Sequence, residues 1–389
     1  MKLRGQRGVI ADALQLVAHG VSGRSTLPIL NNVALRAAGG SLEMTGTDME
    51  MWVECRIPVE VEEEGGVTVP ARVLSEIVGD LRDGEVEFGS VVGEGPAAEG
   101  PGEAAEVRAL GVYSGKSSYR VNALPLEEFP ASPQTGKAVK VAVDGAGLRE
   151  LIRTTIVAAS QDETRAILTG ALVLLEGGRV TVVATDMHRL AINSVEAGGE
   201  GGGGSQRAIV PTRALREMER ILSGVEAGVE LEIGEKFVAF RAGETRVATR
   251  LIEGQFPNYE RVIPKEVEKK IVVDRAELLS ALRRAAIVAR AEANKVVLRT
   301  RDGGDESGGL VIEAESSQVG SGREEIGARV EPGGEGVEIA FNCDYLVEAL
   351  AALREPEVEL GITGPVTPAI LKPTGETQFL YVVMPMQIL

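Results

Sequence analysis

Leu42-Glu43-Met44-Thr45-Gly46-Thr47-Asp48 and Val180-Thr181-Val182-Val183-Ala184-Thr185-Asp186 are one pattern written twice: a strand-like run that stops at Thr-Asp. Reading backwards from each stop finds the same preamble. In the first copy it is a helix-like run, Asp12-Ala13-Leu14-Gln15-Leu16-Val17, and then an apolar strand over Leu27-Pro28-Ile29-Leu30-Asn31-Asn32-Val33-Ala34-Leu35. In the second it is Leu148-Arg149-Glu150-Leu151-Ile152 and then Ile167-Leu168-Thr169-Gly170-Ala171-Leu172-Val173-Leu174. A third copy offers Leu278-Leu279-Ser280-Ala281-Leu282, Val296-Val297-Leu298 and Leu310-Val311-Ile312-Glu313-Ala314-Glu315.

Reading forwards finds a second shared half. Strands run through Pro70-Ala71-Arg72, Pro211-Thr212-Arg213 and Asn342-Cys343-Asp344 into further helices, followed by alternating strands such as Val229-Glu230-Leu231-Glu232-Ile233. The period of roughly 130 to 140 residues is too long for a solenoid unit and suits whole domains. Three tandem domains are therefore expected, over 1–135, 136–264 and 265–389, joined by linkers at Pro130–Gly136 and Pro264–Lys270.

Helical spacing of Leu148, Leu151, Ile152 and Ile156, and of Leu215, Met218 and Leu222, sits beside period-two runs such as Val59-Glu60-Val61-Glu62. Two helices and many short strands per domain, without strict alternation, predict an α+β fold with antiparallel sheets. Val91–Glu106 and Gly198–Gly204 read as loops. The glycine run lacks the following Lys-Ser or Lys-Thr of a phosphate cradle and reads as a flexible hairpin.

Composition excludes several classes. An apolar fraction of 44% supports globular cores, while no apolar run approaches the roughly 18 residues of a membrane span. No tripartite leader opens the chain, so a soluble, cytoplasmic protein is expected. Cys55 and Cys343, with His19 and His188, supply neither a disulfide framework nor a metal centre, and no cofactor is called for.

The net charge of −17 argues against a duplex binder until its distribution is considered. Acidic residues crowd strands and loops, as in Glu60 to Glu64. Arginines gather on the helices: Arg72 and Arg82; Arg149 and Arg153; Arg213, Arg216 and Arg220; Arg275, Arg283, Arg284 and Arg290. A solvated mixed face explains any one helix, but the bias recurs in all three domains. Helices turned inward would present a positive lining, and aromatics at only 3% favour backbone contact over base stacking.

Five separated segments carry a family resemblance. They are Thr26–Asn32, Thr45–Glu50, Ala184–Ala191, Phe256–Pro264 and Tyr381–Met386, and in them the chain resembles the bacterial sliding clamp, the β subunit of DNA polymerase III. The resemblance implies a head-to-tail homodimer ring with helices inside and sheets outside. It also implies a non-catalytic processivity factor that encircles double-stranded DNA without reading sequence, and partners that include the polymerase III alpha subunit, the clamp loader and other clamp-motif proteins.

Carried over residue by residue, the resemblance implies a partner-peptide pocket of Leu168, Thr185, Met187, His188, Arg189, Leu190, Pro257, Arg261, Val262, Asn342, Tyr345, Val366, Val382, Val383, Met384, Pro385 and Met386. It places DNA contacts at Arg24, Gln161, Arg213 and Arg220; the helix arginines Arg72, Arg149 and Arg283 join them on charge. The dimer seam would set Tyr119 and Val121 against Ile287 and Val288. Met187, Ala293 and Gln387 depart from the family's pattern.

Two other classes compete. Asp186 and His188, with Thr185 as nucleophile, would suit a hydrolase, but Asp48 stands in the equivalent place of the first copy with Glu50 where a histidine would be needed. A duplicated turn accounts for both copies. A monomeric three-domain peptide-binding scaffold would need neither a dimer nor DNA.

Overall fold

The fold is described by a computed structural model, covering every residue except 24, 93–106, 199–204, 224–227, 302–307, 332–335 and 389. Six α-helices occur among the described residues: α1 (Arg7–Ala18), α2 (Ala71–Asp80), α3 (Gly145–Thr155), α4 (Thr212–Ile221), α5 (Arg275–Ala289) and α6 (Cys343–Ala352). They fall two to each third of the chain, as the repeat predicts.

Local chemistry sets the helix ends. Asp274 caps α5 by accepting from the Glu277 backbone N–H at 2.7 Å, and Asn342 caps α6 by accepting from Asp344 N–H at 3.0 Å. Proline closes the strand before α2 at Pro70 and before α4 at Pro211, where a missing N–H costs nothing. The apolar faces are buried: Ile10, Leu14 and Val17 on α1, and Leu278, Leu282, Ala285 and Ala289 on α5.

The expected first strands start late. Pro28–Asn31 is a 3-10 turn and the strand begins at Asn32, running to Ala38. In the second copy Glu163–Thr169 turns before the strand Gly170–Glu176. Pro28 fixes its own φ and donates no hydrogen bond, so the apolar run cannot join a ladder there. The second linker is also shorter than expected, because Lys269 and Lys270 already belong to the strand Lys269–Asp274. Most of the loop expected over 91–106, and of the glycine run, lies outside the described residues.

The chain divides into two compact units, Met1–Gly145 with Arg220–Leu251, and Ala146–Glu219 with Ile252–Leu389. In the first unit one antiparallel sheet runs Gly65–Pro70, Asn32–Ala38, Ser41–Thr47, Met51–Pro58, Thr245–Arg250, Phe237–Ala242, Val229–Ile233, Val139–Val143. Its centre is a seam between repeats, where Met51–Cys55 of the first third pairs with Thr245–Thr249 of the second. A five-stranded sheet ends at the edge strand Ser117–Asn122.

The second unit repeats this device. Its sheet runs Gln206–Pro211, Gly170–Glu176, Arg179–Thr185, Arg189–Gly198, Leu380–Val383, Ala369–Pro373, Glu357–Ile362, Lys269–Asp274. Here Arg189–Ile192 of the second third pairs with Leu380–Val383 of the last. The division into units thus cuts through the middle repeat, because each half of that repeat shares a continuous ladder with a neighbour.

A buried ion pair marks the first seam. Arg246 Nη1 donates to Glu54 at 2.7 Å and to Ser132 Oγ at 2.8 Å, and its Nη2 donates to the Pro133 carbonyl at 2.8 Å. Nearby, burial works to raise the pKa of Glu232. Hydrogen bonds from Lys140 Nζ at 2.6 Å and Thr135 Oγ1 at 2.6 Å outweigh it and hold that carboxyl down to about 2.

Candidate functional site

The Thr-Asp stop is a tight turn whose hydrogen bonds are supplied by its own side chains. Thr185 Oγ1 donates to the Arg189 carbonyl at 2.6 Å and accepts from Met187 N–H at 3.0 Å. Asp186 Oδ1 accepts from His188 N–H at 2.9 Å and Arg189 N–H at 3.0 Å. The first copy repeats this bond for bond. Thr47 Oγ1 donates to Met51 O at 2.8 Å and accepts from Met49 N–H at 2.9 Å, while Asp48 Oδ1 accepts from Glu50 at 3.0 Å and Met51 at 2.9 Å. Asp186 is therefore an architectural carboxylate, and the turn explains both copies where a catalytic pair would explain one.

The turn sets the direction of the next strand. Met384 N–H donates to His188 O at 2.8 Å, and the register continues through Arg189 with Val383 and Leu190 with Val382. The tail is pinned again where Met386 N–H donates to Ala340 O at 2.8 Å. Above this pairing lies a small, open cleft of about 60 Å³. Leu190 and Val382 form its buried floor, Pro257, Tyr259 and Val262 one wall, and Met187 and Met384 its mouth, with Thr185, Arg189 and Asn258 also lining it.

The polar groups of the cleft are occupied by one another. Arg189 is buried; its Nε donates to Asp186 Oδ2 at 3.0 Å, its Nη1 to Glu348 at 2.6 Å, and its guanidinium carbon lies 4.4 Å from the centre of the Tyr345 ring. Burial works against that charge, but Tyr381 and Glu348 more than offset it, so the guanidinium is held above its ordinary pKa. Burial pushes the phenols of Tyr259, Tyr345 and Tyr381 up, which keeps them neutral. A visiting group meets mainly apolar surface, the chemistry of a site for apolar side chains.

Of the residues expected in a peptide pocket, Thr185, Met187, Arg189, Leu190, Pro257, Val262, Val382 and Met384 line this one cleft. Tyr345 lies behind it, under Arg189. Asn342 has its side-chain oxygen engaged in capping α6, and Val383 is buried in its strand. His188 and Arg261 are exposed, Leu168 is buried, and Pro385 and Met386 are half-buried along the tail. Val366 is 78% exposed and does not line the cleft. Asn258 and Tyr259 line it without having been singled out. The signal was present, since they follow Pro257 within one of the five matching segments.

The first seam has the same frame and a different filling. Arg250 N–H donates to Glu50 O at 2.9 Å, as Met384 does to His188, and Trp52 pairs with Ala248 as Leu190 pairs with Val382. Trp52 packs edge-on to Phe237 at 6.1 Å between ring centres, with Arg250 5.4 Å from the Phe237 ring centre. A bulky indole stands where the second seam has a leucine floor.

The basic residues divide by role. Arg153 donates to the Ala352 carbonyl and to Glu150, and Arg275 Nε and Nη1 donate to Glu355 O at 2.8 Å and Leu350 O at 3.2 Å. Both arginines thus engage carbonyls at or just beyond the end of α6, so Arg275 leaves the expected basic stripe. Arg284 is tied to Glu324 at 2.5 Å and the exposed Arg72 to Glu76 at 2.8 Å. Arg149 is partly buried with Glu219 at 3.9 Å. Arg213, Arg220, Arg283 and Gln161 are exposed, and Arg24 lies outside the described residues. Of the expected dimer residues, Tyr119 and Ile287 are exposed, Val288 is half-buried, and Val121 is 4% exposed, packed inside its own fold.

No described helix is long and apolar enough to cross a membrane. Three family models cover the chain in order: the N-terminal domain of the DNA polymerase III beta subunit over residues 1–133, its central domain over 142–258 and its C-terminal domain over 260–387. The beta sliding clamp of Synechococcus elongatus is 32% identical over 393 residues, with 100% of both chains covered. Among solved structures, a Pseudomonas aeruginosa sliding clamp bound to griselimycin is 31% identical with a TM-score of 0.89, covering 100% of each chain. The Bacillus subtilis DNA polymerase sliding clamp is 28% identical, with a TM-score of 0.89 and the same coverage. The chain belongs to the bacterial sliding-clamp family, the beta subunits of DNA polymerase III, and is a non-catalytic processivity clamp of DNA replication.

Proposed function

We propose that the cleft over Leu190 and Val382 is where this clamp receives short apolar peptide segments of its partners, the polymerase III alpha subunit and the clamp loader among them. The observation that carries this reading is a small apolar cleft of about 60 Å³ at a strand seam between repeats, with its charged groups already paired internally. Such a site gains affinity from buried side chains, each contributing about 1.5–3 kcal/mol, and loses little to polar desolvation. Domains over 1–135, 136–264 and 265–389 place the cleft where the second meets the third.

Double-stranded DNA is held by the exposed helix arginines Arg213, Arg220 and Arg283, together with Arg24, Arg72, Arg149 and Gln161. Loose phosphate contacts hold a duplex without a deep minimum, which suits sliding. A second copy docks on the edge strand Ser117–Asn122 through Tyr119, against Ile287 and Val288 at the end of α5. Val121 contributes from within, by stiffening that strand. The test of the cleft is deletion of Met384 to Leu389: peptides from the polymerase tail lose measurable binding in fluorescence anisotropy while the dimer persists in sedimentation. Unchanged affinity refutes the site.

A further inference from the structure

Met187 sits in a left-handed backbone conformation that Met49 shares at the equivalent turn, so what sets it apart is where its side chain lies. Its φ is 80°, in the left-handed region where a Cβ is disfavoured. The turn is closed by Thr185, Asp186 and backbone groups, and none of those hydrogen bonds uses the Met187 side chain. That side chain is 53% exposed and lines the mouth of the cleft, with Met384, 38% exposed, lining the same mouth. The Met384 N–H to His188 O bond fixes the two segments side by side, so both flexible thioethers border one opening.

We infer that Met187 is a specificity-determining lip of this cleft, folding over a slender leucine anchor and leaving too little room for a phenylalanine at the same position. This rests on the docking role given to the cleft. The molecule contains its own control. Met49 has a φ of 74°, is 47% exposed and stands on a turn with the same hydrogen bonds, but its seam carries Trp52 in place of Leu190. Truncating either methionine changes the backbone energetics alike, while only one borders the cleft.

The test uses the full-length protein and two fluorescein-labelled peptides, Ser-Leu-Ser-Leu-Phe and Ser-Leu-Ser-Phe-Phe, followed by anisotropy. The unaltered clamp binds the leucine peptide about tenfold more tightly than its phenylalanine counterpart, the scale of one misfitting apolar group. Met187→Gly and Met187→Ala bring the ratio to about one, whereas Met49→Gly leaves it near tenfold. A ratio that survives in both Met187 variants, that falls equally in Met49→Gly, or that is already one in the unaltered clamp overturns the role of Met187 alone. Failure of the unaltered clamp to bind either peptide overturns the docking role, and this inference with it.

Discussion

At the scale of single residues, the decisive group is Asp186, whose carboxylate aligns two backbone N–H groups and the buried Arg189 guanidinium. Asp186→Ala leaves those donors unsatisfied and costs about 2–3 kcal/mol. Asp48→Ala removes the two backbone bonds of the first copy and costs about 1–2 kcal/mol. Urea unfolding midpoints measure both losses, and peptide anisotropy separates them: Asp186→Ala weakens docking and Asp48→Ala does not, because it is the Thr185–Arg189 turn that lines the docking cleft. Equal loss of docking in both variants contradicts the assignment. The equivalence of the two turns was legible from the repeated Thr-Asp stop, and it weighed against a hydrolase without excluding one. Its reason was not legible, since no spacing rule says that Thr185 both donates and accepts within five residues.

At the scale of elements, the ladders that cross between repeats hold each unit together, and in the first unit's sheet Glu232 ties the strand Val229–Ile233 to Val139–Val143 through Lys140. Its folded pKa of about 2 lies below the ordinary 4.5, so its contribution is fully present above pH 4.5 and is lost as pH falls from there toward 2. Glu232→Gln is less stable than the unaltered protein at neutral pH and loses less on acidification through that window, which urea titrations at stepped pH follow. An unchanged acid profile counts against this role. Helix and strand periodicities were readable because they depend on near neighbours in sequence. The seam partners were not, because Arg246 meets Glu54 and Arg153 meets Ala352 across separations of 192 and 199 residues. For the same reason the basic stripe was overdrawn: Arg275 looks like its neighbours in sequence, but at the end of α6 it is a clamp on carbonyls.

At the scale of the whole molecule, a net charge of −17 coexists with exposed arginines on the helices, so sign and placement rather than the sum decide what the chain attracts. A threefold repeat reads directly as three domains, whereas the closed ring and its partners became legible only through the five family segments, because assembly leaves no local periodicity. Topological linkage to DNA is the central claim, and it differs in kind from affinity. Salt weakens phosphate contacts but does not open a closed ring. The most direct measurement loads the clamp onto a nicked circular duplex with a clamp loader, washes at high salt, and then cuts the circle once. A ring stays bound through the wash and is released by linearisation; loss in the wash alike from circle and line contradicts the account.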